Sequence, residues 1–263
     1  MSKKIKILSG WSAPGGSTVA FINLCNLFNE RGYDCTFYGP HEWHTRQCKS
    51  GYLDECPVNE KDENIIVHYL KFPSRPEASN RVILSCHEKN VFPIKDTPKF
   101  WDEVVYVSNT QMFWQGVGGK VIPNVVSDLH PKREFMIGVA GIIGSIDSNK
   151  QTHLSIERAV EDGFETINLF GQVTDEAYYN EKVKPLVEKH GVNMMGHVDN
   201  KQAMYDSLSK VYHSSASETF NFIKAECEKT NTPYDGLESA ESGAEIWTNT
   251  QVLNAWEDIL FGK

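Results

Sequence analysis

Two carboxylates in the second half of the chain give the strongest chemical signal. Glu218 and Glu226 stand eight positions apart and follow the polar run Tyr212-His213-Ser214-Ser215-Ala216-Ser217. If Phe222 to Lys229 is helical, Glu226 lies on the second turn and Glu218 in the preceding loop, because a turn takes about 3.6 residues. The pair could then reach opposite ends of one ligand, although a solvated helix start would show the same spacing.

A lysine in an earlier segment could bind an anion. The segment Gly144-Ser-Ile-Asp-Ser-Asn-Lys150 stands between an expected strand and an expected helix. The ammonium group of Lys150 would neutralise part of the charge of a phosphate group.

A glycine-rich turn near the start of the chain is a second candidate for phosphate binding. The turn runs from Gly10 to Thr18 and contains Gly15 and Gly16 directly before an expected helix, whose N-terminus favours anions. Gly16 occupies the position at which a phosphate-binding P-loop has lysine, and the Gly-x-Gly-x-x-Gly fingerprint of nicotinamide dehydrogenases is absent. A P-loop-related nucleotide hydrolase and a turn without any ligand both remain alternatives.

Two histidines end apolar runs in the first half. His68 ends Ile-Ile-Val-His, and His87 follows Ile-Leu-Ser-Cys and precedes Glu88. Open α/β sheets place ligand contacts at the carboxyl ends of their strands, where an imidazole can donate a hydrogen bond or act as a base. A buried or simply exposed histidine is the alternative in each case.

Four side chains within sixteen residues could bind zinc. They are His41, His44, Cys48 and Cys56. The gap of eight between the cysteines exceeds the spacing of about two to four that structural zinc sites use, so a metal-free loop is favoured and the question stays open. No Asp-x-Asp motif is present to hold a divalent ion, and we expect chemistry that needs neither a metal nor a further cofactor.

The elements that must position these groups alternate along the chain. Short apolar runs predict strands, and longer amphipathic runs predict helices, which is typical of parallel sheets. Predicted strands are Ile5–Leu8, Asp34–Tyr38, Ile65–Tyr69, Val82–Ser85, Val104–Val107, Met136–Ala140, Thr166–Phe170 and Val192–Met195; predicted helices are Thr18–Glu30, Thr152–Glu161, Glu176–His190 and Thr248–Phe261. The alternation restarts after a candidate linker at Asp128–Arg133, so we predict an α/β fold of two Rossmann-like doubly wound domains.

Size and composition agree with two globular domains. The chain has 263 residues, and at roughly 150 residues per domain it holds about two. With 40% hydrophobic and 23% charged residues, fibrous and disordered classes are excluded. No apolar run is long enough to span a bilayer, the basic N-terminus has too short an apolar stretch for a secretory signal, and six irregularly spaced cysteines favour a reducing compartment. We therefore predict a cytoplasmic protein without a membrane partner.

Charge is distributed unevenly between the two halves. The net charge is −9, yet residues 1–133 carry 16 Lys and Arg against 14 Asp and Glu, whereas residues 134–263 carry 10 against 21. The N-terminal half is therefore the better host for an anionic partner.

The chain resembles the GT-B glycosyltransferases, in particular the retaining family-four type, over nearly its whole length. The residues that carry the resemblance are Pro14-Gly15-Gly16, Glu30-Arg31-Gly32-Tyr33-Asp34-Cys35, the strand-end histidines, Val107-Ser108, Lys120-Val-Ile-Pro-Asn124, Gly144-x-Ile-x-x-x-Lys150, Leu169-Phe-Gly171, Gly196-His-Val, Met204-Tyr205 and Glu218-x7-Glu226. Their order and spacing together are specific. The resemblance implies a first domain at 1–127, a second at 128–247, a cleft between the two, and a C-terminal helix at 248–263 that packs back on the first.

The resemblance also implies roles for single residues. Catalytic roles would fall to Glu218 near the transferred sugar, Lys150 on the diphosphate and His87 at the sugar site; Glu226 would hold the ribose. Donor contacts would come from Gly15, Gly16, Ser145, Lys150, Thr219, Phe220, Asn221, Phe222 and Glu226, and the acceptor side from His68, His87 and Glu88. The chain departs from the family pattern at two positions, where Ser145 replaces an arginine and Asn221 replaces a frequent glycine.

These features together predict a retaining glycosyltransferase. It would move a hexosyl or pentosyl group from a nucleotide diphosphate sugar, UDP-linked, to an acceptor hydroxyl. The compact chain is similar to bacteriophage enzymes that glycosylate hydroxymethylated bases in DNA, so DNA is one predicted acceptor and host cytoplasm the matching location. A glycan- or protein-directed transferase and a non-catalytic nucleotide-sugar-binding protein remain alternatives, and nothing in the sequence indicates the oligomeric state.

Overall fold

The computed structural model describes residues 3–11, 15–40, 47–57, 63–70, 74–76, 79–89, 100–134 and 136–262. It divides into two compact units. Unit 1 comprises Met1–Val126 and Gly243–Lys263, and unit 2 comprises Ser127–Ser242. None of the helices in the described ranges is long and apolar enough to cross a membrane.

Each unit contains one sheet whose strands all run parallel. The strands are β1 Lys4–Ser9, β2 Asp34–Gly39, β3 Ser50–Tyr52, β4 Glu63–His68, β5 Arg81–Cys86, β6 Glu103–Tyr106, β7 Lys120–Val121, β8 Val139–Ile143, β9 Thr166–Phe170, β10 Asn193–Gly196, β11 Lys210–His213 and β12 Tyr234–Gly236. The order is β3-β2-β1-β4-β5-β6-β7 in unit 1 and β10-β9-β8-β11-β12 in unit 2. Such orders, in which the chain winds outward from a central strand in both directions, define doubly wound folds.

The helices cover these sheets. They are α1 Gly16–Glu30, α2 Asn109–Gln115, α3 Thr152–Glu161, α4 Glu176–Tyr178, α5 Lys184–His190, α6 Lys201–Asp206, α7 Phe222–Thr230 and α8 Asn249–Phe261. Between α4 and α5 the helix continues as a π-helical segment, Tyr179–Val183. Pro185 is the second residue of α5, and because proline has no N–H to donate, the regular hydrogen-bond ladder is interrupted there.

The core of unit 1 lies on both faces of its sheet. Strand β4 is buried along its entire length, as expected of a central parallel strand with both faces covered. The C-terminal helix α8 contributes an apolar stripe to this core through Val252, Leu253, Trp256 and Leu260. Burying each of these side chains stabilises the unit by roughly 1.5 to 3 kcal/mol.

Two predicted elements need correction. The strand expected at Met136–Ala140 is wrong in position. Strand β8 spans Val139–Ile143, and Met136 and Ile137 before it are exposed. The helix expected over Glu176–His190 is present but contains the π segment. Strand β11 was not predicted at all. It is four residues long and begins with a lysine, so its apolar signal is confined to Val211 and Tyr212.

Candidate functional site

At the centre of the unit 2 sheet the loops after strands β8 and β11 diverge, and the space between these two loops is called the crevice below. Strand β8 pairs with β9 on one side and with β11 on the other. The loops that follow β8 and β11 therefore leave the sheet in opposite directions, the place at which open α/β sheets bind ligands. The two loops are joined by a hydrogen bond from the Ala216 N–H to the Asn149 carbonyl (2.7 Å), with further contacts between Asn149 and Ser215.

Glu218 lies in this crevice between a lysine and a histidine side chain. Its Oε1 is 2.5 Å from the Lys150 Nζ and 3.1 Å from the His213 Nε2. Burial by itself would raise the pKa of Glu218, but the hydrogen bond from His213 and the charge of Lys150 outweigh it and hold that pKa below its ordinary value. Glu218 is therefore a carboxylate at neutral pH, able only to accept hydrogen bonds.

Lys150 is held by the loop from which it comes. Its backbone N–H donates to Asp147 Oδ1 (2.9 Å), and Ser145 Oγ donates to Asp147 Oδ2 (2.6 Å). Ser145, the position at which the sequence resemblance expects arginine, thus orients an acidic side chain and contributes no positive charge. Within the described part of the loop, Lys150 is the cation.

Gly171 fixes how closely two loops approach. It has φ +143°, and a Cβ at this position would lie 1.8 Å from the Gly144 carbonyl oxygen. The Gly171 N–H also donates to the Gly196 carbonyl at 2.8 Å. Only glycine permits this combination of backbone angle and contact, and the Gly144–Lys150 loop depends on it.

Asn221 starts helix α7 and anchors the segment around it. Its side-chain oxygen accepts from the Lys224 N–H (2.9 Å), and its amide donates to the Tyr234 hydroxyl (2.8 Å) and to the Ala240 carbonyl (3.0 Å). Because φ is −86°, the backbone does not require the glycine that the resemblance expects. Asn221 is instead an N-cap.

The backbone between Glu218 and this cap leads into the helix. Phe220 is buried and its ring packs edge-on against Phe222, with centroids 4.8 Å apart, while Thr219 is half-buried. The first N–H groups of α7 therefore begin next to the Glu218 loop, and a helix N-terminus is a favourable place for an anion.

Glu226 lies on the second turn of α7 in a different set of contacts. Its carboxylate accepts from the Tyr205 hydroxyl (2.9 Å), forms an ion pair with Lys201 and lies 3.4 Å from the Ser127 hydroxyl. Glu226 is only 1% exposed. Burial, reinforced by the Glu226 carboxylate, raises the pKa of Tyr205 well above its ordinary value, so its phenol remains a donor.

The sequence did not reveal three of these partners. His213 ends the unpredicted strand β11, and Tyr205 and Lys201 belong to α6, which has only six residues. The available signal was the position of His213 at the end of a strand, where ligand-binding residues in this fold class lie. Lys150 and Glu218 are brought into direct contact, whereas Glu226 has its own partners.

Unit 1 gathers its strand-end histidines into a second cluster. Ser9 Oγ lies 2.8 Å from His68 Nδ1, and His68 Nε2 lies 2.9 Å from Glu88 Oε1. The Trp11 N–H donates to Ser9 Oγ (3.3 Å). Because a carboxylate only accepts hydrogen bonds, His68 donates through Nε2 to Glu88. Burial would raise the pKa of Glu88, but the hydrogen bond from His68 outweighs it, so the pKa is lowered.

His87 packs beside this chain of hydrogen bonds. Its ring centroid lies 4.4 Å from that of Phe21 and 5.2 Å from that of His68. Burial lowers the pKa of His87 from 6.5 to about 3, and the nearby His68 adds to the shift while Glu88 opposes it. Its Nε2 lies 3.2 Å from Ser85 Oγ, and its buried Nδ1 has no hydrogen-bond partner among the described residues. His87 is therefore a neutral hydrogen-bonding group at physiological pH.

The glycine-rich turn is only partly described. Gly15 is the N-cap of α1, and Gly16 is its first residue, with the Val19 N–H donating to the Gly15 carbonyl at 3.0 Å. Pro14 and the two residues before it lie outside the described residues. The N-terminus of α1 follows the central strand β1, so these glycines share the carboxyl edge of the sheet with His68 and His87.

The suggested zinc ligands do not form a described site. His41 and His44 lie outside the described residues, and Cys48 and Cys56 are half-buried. Across the ranges that the structure covers, no group of three or more His, Cys, Asp or Glu side chains is arranged to hold a metal ion.

Several solved structures share this fold. Anabaena Alr3699/HepE in complex with UDP-glucose aligns with a TM-score of 0.69 and 14% identity over 97% of this chain and 88% of its own. AviGT4, a glycosyltransferase involved in avilamycin A biosynthesis, aligns with a TM-score of 0.73 and 14% identity over 98% and 96%. TarM aligns with a TM-score of 0.70 and 10% identity over 99% and 91%.

At the level of sequence, no protein-family model matches the chain, and no curated protein gives a significant match. At such low identity the structural likeness establishes the fold. It confirms the fold class predicted from the sequence, which is α/β with two Rossmann-like, doubly wound units of the GT-B type.

Proposed function

We propose that the protein is a glycosyltransferase that moves a sugar from a UDP-linked nucleotide sugar to an acceptor hydroxyl, with retention of the anomeric configuration. The observation that carries the proposal is the placement of Lys150, Glu218 and the N-terminus of α7 around the crevice at the centre of the unit 2 sheet. The likeness to a structure that holds UDP-glucose supports it, because the chain covers nearly all of that fold.

In this proposal the positive charge in the crevice stabilises the departing diphosphate. The ammonium of Lys150 has three N–H donors, of which Glu218 engages one, so the others are free to bind phosphate oxygens. The N–H groups at the start of α7 would add fixed partial positive charge. Such preorganised charge favours the transition state because no solvent must reorganise during bond breaking.

The two glutamates would bind the two ends of the donor. Glu218, kept charged by His213 and Lys150, would accept hydrogen bonds from hydroxyl groups of the transferred sugar. Glu226 would accept from the ribose hydroxyls, and the main chain of Thr219–Phe222 would contact the sugar or the diphosphate. Ser145 would support Lys150 through Asp147.

Unit 1 would bind the acceptor in this proposal. Neutral His87 has a buried Nδ1 without a partner among the described residues, which could hydrogen-bond a hydroxyl that enters the site, and Glu88, held charged by His68, can accept from another. Gly15 and Gly16 would present backbone N–H groups at the start of α1. Because protonated His87 is strongly disfavoured, its role would be orientation of a hydroxyl and not storage of a proton.

The decisive experiment is product analysis. The protein is incubated with UDP-glucose, UDP-galactose, UDP-N-acetylglucosamine and UDP-xylose, each with glycan, protein and hydroxymethylcytosine-containing DNA acceptors, and the products are identified by mass spectrometry. Proton NMR of the product then gives the anomeric configuration, and a parallel reaction with EDTA tests metal independence. Inversion or loss of activity with EDTA would contradict those parts of the proposal.

Lys150→Ala provides the residue-level test. We expect turnover to fall by about 10²-fold or more, the usual effect of removing one preorganised charge from a transition state. Lys210→Ala is the matched control, because Lys210 belongs to the same unit, is 26% exposed like Lys150, and pairs with Asp162 and Asp235 at the amino end of β11, the edge of the sheet opposite the crevice. Equal turnover of Lys150→Ala and wild type would rule out the assigned role.

A DNA acceptor is the most specific version of the proposal. It is supported by the charge distribution, since residues 1–133 are slightly basic while residues 134–263 are strongly acidic. Binding of DNA through phosphate contacts should weaken steeply as salt rises. Transfer to glycan or protein but not to DNA would assign a different acceptor.

A non-catalytic nucleotide-sugar-binding protein is the second candidate, favoured by the neutral Ser145 in the diphosphate-binding loop. Tight nucleotide-sugar binding without sugar transfer to any acceptor would establish it. Phosphate release from ATP or GTP would instead support the nucleotide hydrolase that the glycine-rich turn leaves as an alternative.

A further inference from the structure

Lys201 covers the one carboxylate that the proposed donor site would need for the ribose. It is the first residue of α6, and its ammonium forms an ion pair with Glu226 Oε1. The Glu226 side chain is 1% exposed, whereas that of Lys201 is 35% exposed. A ligand hydroxyl can therefore reach Glu226 only if one of its present partners moves.

The partners of Glu226 differ in how freely they can move. Tyr205 is wholly buried, and its raised pKa keeps it a permanent donor to Glu226 Oε2. The Ser127 hydroxyl is farther away, at 3.4 Å. Lys201 has a flexible four-carbon stem and an ammonium that water already reaches. Among these partners, Lys201 is the one that a ligand can displace without disturbing buried packing.

We propose that Lys201 is a second phosphate-binding cation that rests on Glu226 until a nucleotide arrives. Ribose hydroxyls take its place on the carboxylate, and the released ammonium binds the diphosphate. Lys201 thereby selects nucleoside diphosphates over nucleosides. This inference rests on the proposed function, because it assumes that Glu226 binds ribose.

The distances along α7 place phosphate within reach of Lys201. Glu226 lies four residues after Phe222, which is about 6 Å of helix axis at a rise of about 1.5 Å per residue. An anion at the start of α7 would thus lie about one lysine side-chain length from the carboxylate that Lys201 now contacts.

Charge balance supplies a second reason. Lys150 already shares its charge with Glu218, and Ser145 contributes none. Displacing Lys201 from Glu226 frees an ammonium at the moment at which a multiply charged diphosphate enters. The ribose hydroxyls in turn keep the buried carboxylate hydrogen-bonded.

The test compares UDP with uridine, since only UDP carries phosphate. Dissociation constants of both are measured by isothermal titration calorimetry for wild type, Lys201→Gln and Lys210→Gln. Glutamine keeps an N–H donor for Glu226 but removes the charge, and Lys210 is a partly exposed, ion-paired lysine at the amino end of β11, on the other edge of the unit 2 sheet. We expect Lys201→Gln to weaken UDP binding about tenfold, the loss of one charge-assisted contact, and to leave uridine binding unchanged or slightly tighter.

A merely structural role gives a different result. If Lys201 only holds Glu226 in place, UDP and uridine binding fall by the same factor, and the inference is overturned. Lys201→Arg should restore the preference for UDP, because it retains the charge. Melting temperatures verify that each variant is folded, and should Lys201→Gln not fold, Lys201→Ala, which removes the same charge, is measured in its place. An unchanged ratio of UDP to uridine affinity in that variant overturns the inference.

Failure of the proposed function is distinguishable from failure of this inference. If wild type binds none of UDP, ADP, GDP and dTDP, and none of the nucleotide sugars built on them, the proposed function fails and the inference fails with it. If wild type binds UDP and Lys201→Gln keeps the same ratio of UDP to uridine affinity, only the inference fails.

Discussion

Glu218 shows how a largely buried carboxylate can keep its charge in this protein. Desolvation favours the protonated acid and would raise the pKa of Glu218. Contacts with His213 at the end of β11 and with Lys150 in the neighbouring loop lower that pKa below its ordinary value. The same principle operates in unit 1, where His68 keeps Glu88 ionised despite burial. In both units a histidine at a strand end supplies the compensating contact, so the two clusters are built by similar chemistry on separate sheets.

His87 should make stability depend on pH in a specific window. The folded protein keeps this imidazole neutral down to about pH 3, whereas the unfolded chain takes up a proton near its ordinary pKa of 6.5. Between these values the unfolded state binds more protons, so stability falls as pH falls, by up to about 1.4 kcal/mol per pH unit. Glu88 has a lowered pKa, and its ionised form therefore persists through the upper part of this window.

His87→Asn removes this titration. We expect the variant to lose less stability than wild type between pH 6.5 and about pH 5, measured by urea unfolding at each pH. Parallel pH profiles of the two proteins would contradict a buried neutral His87.

The sequence predicted the carboxylate positions at residue scale but not their partners. Glu226 lies on the second turn of a helix that begins at Phe222, as the spacing indicated. Ion pairs such as those of Lys150 with Glu218 and Lys201 with Glu226 join residues far apart in sequence. No local pattern specifies such pairs, because they depend on which strands become neighbours.

At the scale of elements, the predictions failed where apolar signals were short or displaced. Met136 and Ile137 made the approach to β8 look like the strand itself, although the structure leaves both exposed and buries Ala140 and Ile142. Strand β11 borders the crevice, but it has only two buried apolar residues from which a strand could be predicted. Long runs such as α1 and α8 carried enough periodicity to be predicted almost to their ends.

The cap of α7 should contribute more than an ordinary cap. Asn221→Ala removes the side-chain oxygen that accepts from the Lys224 N–H. It also removes two hydrogen bonds that the Asn221 amide donates, one of them to the carbonyl of buried Ala240. We expect a loss of about 2 to 3 kcal/mol from unit 2, against about 1 kcal/mol for a cap alone. Hydrogen exchange of unit 2 amides measures the loss.

Thr248→Ala is the comparison for that prediction, because Thr248 caps α8 through contacts with Gln251 only. A loss from Asn221→Ala no larger than that from Thr248→Ala would show that the two amide contacts add no stability.

Gly171 directly follows strand β9 and contacts the loop that carries Lys150. In Gly171→Ala the new Cβ would collide with the Gly144 carbonyl, which cannot move without displacing the loop that carries Lys150. We therefore expect loss of sugar transfer together with a lower melting temperature. Gly163→Ala is the control, because a Cβ there meets no atom within 4 Å although its φ is also positive. Equal effects of the two substitutions would indicate backbone strain alone and no steric contact.

At the scale of the whole molecule, the chain forms unit 1 from two separate segments. Helix α8 returns after unit 2 is complete and packs into the unit 1 core. The alternation of strands and helices predicted two doubly wound folds. That α8 packs in unit 1 was an expectation from the family resemblance, because the local apolar pattern of a helix does not specify which sheet it covers. All six tryptophans fall within the residue ranges of unit 1, so tryptophan fluorescence reports on that unit.

Leu253→Ala should therefore destabilise unit 1 selectively. Leu253 is 4% exposed in the core, and truncation of a buried leucine costs about 2 to 5 kcal/mol. We expect the fluorescence transition in urea to shift to lower concentration while hydrogen exchange in unit 2 stays unchanged. Asp258→Ala, an exposed position on the same helix, serves as the control. Equal loss of protection in both units would show that α8 stabilises more than unit 1.

The return of α8 also sets the order in which the chain can fold during translation. Every residue of unit 2 is synthesised before helix α8 of unit 1. Until α8 is made and docks, the sheet of unit 1 therefore has an uncovered apolar surface at the place where Trp256 and Leu260 pack in the folded protein. Chaperone binding to newly made chains should accordingly be strongest before residue 249 emerges and should fall once α8 docks.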